Sequence, residues 1–330
     1  FLGNTTGAVM TLGNHHWLLP REGVAFKALK ILPIISKTKH PRAIEASAKY
    51  FLTQAIASCL MLSSSIANAW QTGNWDITQM TNKYTSTMMV LALTMKAGAV
   101  PLHFWLPEVM QGSSLYTAML ISTWQKVAPM TLLYSMSSHA QPTVTMTLGI
   151  LSTTLGGWGG MNQTQLRKMM AFSSITNIGW TLMILTPEPN TAAISITTYI
   201  LMMIPTFLLM IMMATKTLQD MSTAWTTSPT ATTTLALLLL STAGLPPLTG
   251  FLPKLLILNE LVTQNLTSVA TLITFTSLLN LTFYLRTTYM TTLLNSPVSA
   301  TSTMKWRHKP VKAKPTTLAP TAIISTTAFP

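Results

Sequence analysis

Acidic residues, and charged residues in general, are scarce in this sequence of 330 residues. Asp and Glu number 7 against 20 Lys and Arg, which gives a formal net charge of +13. Charged residues make up 8% of the chain, whereas a typical soluble domain carries about 25%. A soluble protein needs more charge to cover its surface, and a hydrophobic content of 48% is too high for intrinsic disorder. The composition therefore excludes both classes and predicts an all-α polytopic membrane protein.

Cysteine is nearly absent too, because Cys59 is the only one. One thiol excludes a disulfide framework, a thiolate-ligated iron–sulfur cluster and a cysteine-based zinc site. The sequence also lacks a glycine-rich phosphate loop, a nucleophile paired with a base, and a cluster of metal-ligating residues. Its basic residues lie in the gaps between apolar runs rather than in one patch, which argues against a nucleic-acid partner. We therefore expect no cofactor and no metal in this chain.

Apolar runs predict about eleven transmembrane helices, since most have the length of about 20 residues that a membrane-spanning helix needs. Both end runs look clipped, and the run 230–265 is too long for one straight helix. Gly244 and Pro246 lie in its middle and predict a broken helix. The runs cover roughly 1–19, 24–36, 50–70, 85–105, 115–135, 142–160, 168–186, 192–214, 230–265, 268–288 and 316–330.

The charges between these runs predict the orientation of the chain. Alternating crossings place Lys83, Asp76 and Glu188 on one side of the membrane. The opposite side receives thirteen basic residues, and such an excess marks the side on which the protein is synthesised, the cytoplasm or the mitochondrial matrix. They are Lys37, Lys39, Arg42, Lys49, Arg167, Lys168, Lys216, Arg286, Lys305, Arg307, Lys309, Lys312 and Lys314.

Two stretches of the chain resemble each other. Residues 97–108 read AGAVPLHFWLPE and residues 243–254 read AGLPPLTGFLPK, with six identities in twelve positions. Chance similarity between Pro/Gly-rich breaks is the alternative explanation. Five predicted helices separate the stretches, so the two units have opposite topology, as in the inverted repeats of secondary transporters. We predict a first five-helix repeat over 1–140, a second, inverted one over 141–290, and a basic loop with a truncated C-terminal helix over 291–330.

Three lysines lie inside predicted spans. Lys96 precedes the first break, Lys126 is near the middle of a span, and Lys254 follows the second break. An ammonium group at the bilayer centre costs at least about 2.5–3.5 kcal/mol, so such residues face the bundle interior and mark ion paths. Snorkelling to the membrane surface or a structural ion pair is the alternative role. These lysines are the primary candidates for a proton path.

Nearby carboxylates and one histidine are secondary candidates. Glu108 and Glu260 are either partners of the lysines or acids at helix ends facing the membrane surface. His103 lies in the first broken stretch and is either a proton relay or a packed, hydrogen-bonded histidine.

Several local strings closely resemble subunit 2 of the NADH dehydrogenase of vertebrate mitochondria, a family of antiporter-like subunits of respiratory complex I. They are KYFLTQ from Lys49, HFWLPE from His103, TWQK from Thr123, NQTQLRK from Asn162 and GLPPLTGFLPK from Gly244.

The resemblance implies a core membrane-arm subunit of the proton-translocating NADH:ubiquinone reductase. Such subunits lie beside other subunits of the complex in the mitochondrial inner membrane, with basic loops on the matrix side. The basic loops of this chain make an anionic membrane lipid such as cardiolipin a candidate partner. NADH and ubiquinone bind elsewhere in the complex, and quinone reduction there drives proton translocation. The proton-path lysines of the family fall on Lys96, Lys126 and Lys254.

One segment departs from the family. A Gly-Leu-Glu motif is expected ahead of Pro33, with its glutamate, the partner of Lys96, at Ala25. The segment 20–26 reads PREGVAF instead, which reflects either a local sequence error or real divergence. Glu22 lies one helical turn before Ala25 and is the candidate substitute, because residues three apart share a helix face.

Two other functions fit part of these features. A stand-alone cation/proton antiporter would share the repeat architecture, but the broken helices carry no Asp or Asn cluster that would hold a bare cation. A purely structural spacer has no reason to bury three lysines, because each one carries a desolvation cost.

Overall fold

The computed structural model of the chain describes residues 17–37, 39–76, 79–80 and 82–292. Over these ranges the chain is helical and contains no extended strand; Gln165 and Thr217 form an isolated antiparallel bridge, and Asp76 is also in a bridge. The helices are α1 (Leu18–Ser36), α2 (Pro41–Thr72), α3 (Lys83–Ala97), α4 (Trp105–Gly112), α5 (Leu115–Ser122), α6 (Trp124–Ser135), α7 (Pro142–Met161), α8 (Leu166–Ile184), α9 (Pro189–Met213), α10 (Leu218–Thr227), α11 (Pro229–Ala243), α12 (Phe251–Thr263) and α13 (Thr267–Thr292).

The all-helical prediction is confirmed for the described residues. By length and composition, α2, α9 and α13 are each long and apolar enough to cross a membrane. The other predicted spans between residues 24 and 288 coincide with helices, and three of them, 85–105, 115–135 and 230–265, are interrupted. Most of the predicted run 1–19 and all of 293–330 lie outside the described residues, so the count of eleven stays a prediction.

Hydroxyl side chains are compatible with these apolar helices because they bond back to their own helix. Thr94 Oγ1 donates to Leu91 O at 3.0 Å, and Ser152 Oγ donates to Gly149 O at 2.8 Å. Many other Ser and Thr residues make the same contact three residues back. Each hydroxyl is thereby satisfied without water, which a membrane interior requires. This pattern explains how so many Ser and Thr residues fit into spans with little charge.

Helices α3 and α11 end in the same way. Each has 15 residues and stops at a glycine with φ of +84°, Gly98 after α3 and Gly244 after α11. Because other residues rarely adopt this left-handed conformation, glycine is the residue that suits these positions. A non-helical stretch follows each glycine, and the chain becomes helical again at Trp105 in α4 and at Phe251 in α12. Both predicted breaks are thus observed, one after Ala97 in the run 85–105 and one after Ala243 in the run 230–265.

Two features of the helices carried no Pro or Gly signal and were not predicted. The run 115–135 is interrupted at Thr123, which separates α5 from α6.

The second feature is helix α10, which lies in the gap between two predicted spans and begins with a capping box. In this box Thr217 Oγ1 accepts a hydrogen bond from Asp220 N, and Asp220 Oδ2 accepts one from Thr217 N. Burial acts to raise the pKa of Asp220, but hydrogen bonds from the backbone of Lys216 and Thr217 outweigh it and hold that pKa below its ordinary value. The Thr-x-x-Asp pattern was the available signal for this helix.

Candidate functional site

The three candidate lysines are buried in cavities where two apolar clusters of side chains meet. The first cluster includes Tyr50, Trp105 and Tyr199, and the second includes Trp180 and Ile257. Tyr50 and Trp105 line a small cavity together with Lys96 and Lys126, while Tyr199, Trp180 and Ile257 line the cavity that holds Lys254. Lys96, Lys126 and Lys254 are 6%, 3% and 8% exposed, so the prediction that they face the bundle interior is confirmed.

Lys254 lies beside the break between α11 and α12. Its Nζ donates to the carbonyl oxygen of Ala243, the last residue of α11, at 2.6 Å, and lies 5.7 Å from the ring centroid of Trp180. The carbonyls at the end of a helix have no partner within the helix and carry a partial negative charge. The break therefore creates the acceptor that stabilises a buried ammonium group at this position.

Lys126 lies in the first turn of α6, three residues after the interruption at Thr123. Its Nζ donates to Ser174 O at 3.3 Å and to Tyr199 Oη at 3.5 Å, and it lies 5.0 Å from the centroid of the Tyr199 ring. No carboxylate is among these contacts. Two neutral oxygens and an aromatic face thus surround a lysine that the structure buries almost completely.

Lys96 lines two cavities. One, of about 10 Å³, it shares with Lys126, Gln54 and Gln125. The other has a volume of about 190 Å³ and lies between α1 and α2, where Ala25 is among its lining residues. The position at which the family places a glutamate therefore faces the same cavity as Lys96.

The predicted carboxylates lie elsewhere. Glu22 is exposed and does not line either of the two cavities beside Lys96. Glu108 is exposed and forms an ion pair with Lys49, at 2.5 Å between Nζ and Oε2. Glu260 is half-buried and is absent from the lining of the Lys254 cavity. The structure thus brings none of the three next to a candidate lysine within the described part of the chain.

His103 is buried in the break between α3 and α4. Its Nδ1 lies 3.4 Å from Pro101 O, and its ring lies 4.2 Å from that of Phe104, centroid to centroid. It does not line either cavity of Lys96, so its placement favours a packed histidine over a relay to that lysine.

A fourth buried lysine was missed from the sequence. Lys27 on α1 is fully buried, and its Nζ lies 5.8 Å from the ring centroid of Trp124 with no hydrogen-bond partner among the described residues. In the sequence, Lys27 and Lys30 both lie in the predicted run 24–36, and no local feature distinguishes them. Spacing on one helix cannot show which of two lysines a neighbouring helix covers.

Replacing Lys27 by methionine is expected to raise the thermal stability of the assembled protein. A buried donor without a partner costs at least about 1–3 kcal/mol, and methionine fills the same volume without that cost. The measurement is the temperature of half-inactivation in membranes, with the exposed Lys37→Met as the control, which is expected to change little. A clear loss of stability in Lys27→Met alone would contradict the absence of a partner.

Comparison with known proteins gives the same family from sequence and the same fold from structure. The family profile described as "NADH:quinone oxidoreductase/Mrp antiporter, TM" matches residues 25–280, and that of the "NADH dehydrogenase subunit 2 C-terminus" matches residues 281–330. NADH-ubiquinone oxidoreductase chain 2 of Xenopus laevis is 46% identical over 315 residues, covering 96% of this chain and 91% of that protein.

Two solved structures share the fold at low sequence identity. A chain of respiratory complex I from Thermus thermophilus superposes with a TM-score of 0.85 at 22% identity, covering 98% of this chain and 74% of that chain. A chain of the Mrp complex from a Dietzia species gives a TM-score of 0.79 at 16% identity, with 98% and 72% covered.

Proposed function

The chain belongs to the NADH-ubiquinone oxidoreductase chain 2 family, and from this premise we propose that it translocates protons as a membrane-arm subunit of that complex. The relatives name an enzyme complex of which this chain is one subunit. Their vertebrate sources support a place in the mitochondrial inner membrane. Quinone reduction elsewhere in the complex supplies the driving energy, and this chain contributes protonatable side chains rather than redox chemistry.

The observation that carries the proposal is the burial of three lysines along one series of cavities. Lys96 and Lys126 line the same cavity, and Lys254 lines the next one. No carboxylate within the described residues neutralises any of the three. A buried ammonium without a counter-ion is costly, and two of them in one cavity repel each other. A change of charge at one lysine therefore changes the proton affinity of the next, which is the property that stepwise proton transfer requires.

The topology supports the same proposal. Helices α3 and α11 are of equal length and each is followed by a left-handed glycine, and the last residue of each is the first residue of one of the two stretches that resemble each other in sequence. We propose that α3 and α11 occupy equivalent places in two inverted repeats. Lys96 then lies just before the break of the first repeat, and Lys254 on α12 lies just after the break of the second. In such architectures the broken helices hold the transported ion near the middle of the membrane.

A group of basic residues around one cavity supports the proposal that their side of the membrane is the matrix side. Arg42, Lys49 and Lys168 were all predicted on that side, and together they line a cavity of about 330 Å³. Lys49 bridges Glu45 and Glu108, which leaves Arg42 and Lys168 as cations facing the cavity without an ion pair among the described residues. Two cations at a membrane surface suit the phosphates of an anionic lipid such as cardiolipin.

The proposal is tested by native electrophoresis of gently solubilised inner membranes. The complex recovered from the band that contains the chain is then reconstituted into vesicles for proton-uptake measurements. We expect the chain to migrate with NADH dehydrogenase activity, and reconstituted vesicles to acidify only when NADH and quinone are supplied. Migration as a free monomer that exchanges cations for protons without NADH would instead support the stand-alone antiporter.

Replacing Ala25 by glutamate is expected to increase the number of protons taken up per NADH oxidised. The new carboxylate enters the cavity of about 190 Å³ that Lys96 lines, where it offers a counter-ion to the buried ammonium. Glu22→Gln is the matched control, and no change is expected because Glu22 is exposed. If Glu22→Gln lowered proton uptake and Ala25→Glu left it unchanged, Glu22 rather than position 25 would be the partner of Lys96.

A further inference from the structure

Tyr199 both contacts Lys126 and lines the cavity of Lys254. Its Oη lies 3.5 Å from Lys126 Nζ and 3.4 Å from Ser122 O. Its side chain is buried and lines the Lys254 cavity together with Ser195. Ser174, the other residue that Lys126 contacts, does not line that cavity. Tyr199 therefore connects Lys126 to the cavity of Lys254.

The cavity that Tyr199 and Lys254 both line is suited to hold a water molecule that carries a proton. Its volume is about 30 Å³, which exceeds the minimum of about 10–15 Å³ that one ordered water requires. Asn177, Ser195, Thr198 and Thr242 supply hydrogen-bonding groups around it. A water bound there has the two to four polar partners that stabilise buried water, and Lys254 borders the same space.

On the basis of the proposed function, we propose that the Tyr199 hydroxyl relays the proton between Lys126 and Lys254. One N–H bond of the Lys126 ammonium breaks, and its electron pair stays on the nitrogen. A lone pair of Tyr199 Oη takes that proton while the original hydroxyl proton passes to a water in the Lys254 cavity. That water gives one of its protons to the neutral amine of Lys254, which becomes the ammonium. The phenol is neutral before and after the step, so no oxidant and no stable tyrosinate are required.

The geometry separates this relay from a packing role. The Tyr199 ring lies 5.0 Å from Lys126 Nζ, a favourable distance between a cation and an aromatic face. Phenylalanine keeps that ring and its contacts and removes the oxygen alone. Any effect of Tyr199→Phe on proton transfer therefore reports on the hydroxyl.

The test measures the initial rate of NADH-driven proton uptake, over a range of pH, in vesicles containing the complete complex. Tyr199→Phe is compared with Lys126→Met and with Tyr134→Phe, which removes an exposed hydroxyl from α6, the helix that carries Lys126. We expect Tyr199→Phe to lower uptake by about tenfold or more, since a positioned proton-transfer group typically contributes about 10²–10⁴-fold to rate. The pH profile of proton uptake in Tyr199→Phe is also expected to shift. Tyr134→Phe is expected to match the unmodified protein in both uptake and pH profile.

The outcomes separate the relay from the proposed function. Loss of uptake in Lys126→Met with full uptake and an unshifted pH profile in Tyr199→Phe would overturn the relay and leave the function standing. Full proton uptake in both Lys126→Met and Tyr199→Phe would overturn the relay and the proposed function together. If Tyr199→Phe fails to assemble, Ser195→Val replaces it, because added methyl groups fill the same cavity and leave Tyr199 intact. Loss of uptake in an assembled Ser195→Val complex would support the relay, and normal uptake would overturn it.

Discussion

Lys126→Met is expected to abolish proton uptake driven by NADH oxidation, and to reduce coupled quinone reductase activity strongly, while the complex still assembles. Methionine has a similar length and is apolar, so the buried position stays filled. Ser174 O and the Tyr199 hydroxyl lose one donor, a modest loss beside the removal of a buried charge. The substitution therefore removes the protonatable nitrogen at little structural cost.

Three measurements check this expectation. Native electrophoresis reports assembly, dye quenching in vesicles reports proton uptake, and NADH:quinone reductase assays report turnover with and without an uncoupler. Lys83→Met provides the control, because Lys83 is exposed at the start of α3. Surface substitutions of this kind usually change stability by less than about 0.5 kcal/mol. Normal coupled activity in an assembled Lys126→Met complex would exclude Lys126 from the proton path.

The second large effect is expected from Gly244→Ala, at the break between α11 and α12. Gly244 has φ of +84°, which costs a residue with a side chain about 1–2 kcal/mol. An added Cβ would also lie 2.8 Å from Lys254 Nζ and 2.9 Å from its Cδ, too close for either atom to stay in place. Displacement of Lys254 breaks its hydrogen bond to Ala243 O and moves the ammonium group away from the break. We therefore expect loss of proton uptake as well as some loss of stability.

Gly73→Ala is the matched control for this substitution. Gly73 also ends a helix, α2, with φ of +72°, but an added Cβ there has no neighbour within 4 Å. Both variants carry the backbone strain, and only Gly244→Ala displaces Lys254. We expect a similar fall in the temperature of half-inactivation for both, with proton uptake per NADH preserved in Gly73→Ala. Equal uptake in the two variants would show that the position of Lys254 does not matter.

Much of the helical structure was predictable because it depends on local properties. Long apolar runs with few charges require helices in a membrane, since only intrahelical hydrogen bonds satisfy the backbone there. Gly244 marked the break after α11 because glycine alone adopts its φ without strain. The interruption at Thr123 was not predictable, because threonine is common in these helices and carries no signal of its own.

The candidate site was predictable only in part. Lys96, Lys126 and Lys254 were found from the cost of charge inside a span. The suggestion that Glu22 replaces a carboxylate at position 25 assumed that residues three apart share a face. Three residues advance a helix by about 300°, which leaves their side chains about 60° apart. In α1 that angle separates exposed Glu22 from Ala25, which faces the cavity of Lys96.

The sequence by itself determined the membrane class, the places of the broken helices and the three lysines, because hydrophobicity, glycine geometry and the cost of charge all act on neighbouring residues. Only the tertiary structure decided which groups meet: Tyr199 with Lys126, Lys254 with the end of α11, and Ala25 with Lys96. The tertiary structure also showed that Lys27 is fully buried. These pairings depend on how helices distant in sequence rotate and pack, and no local pattern contains that information.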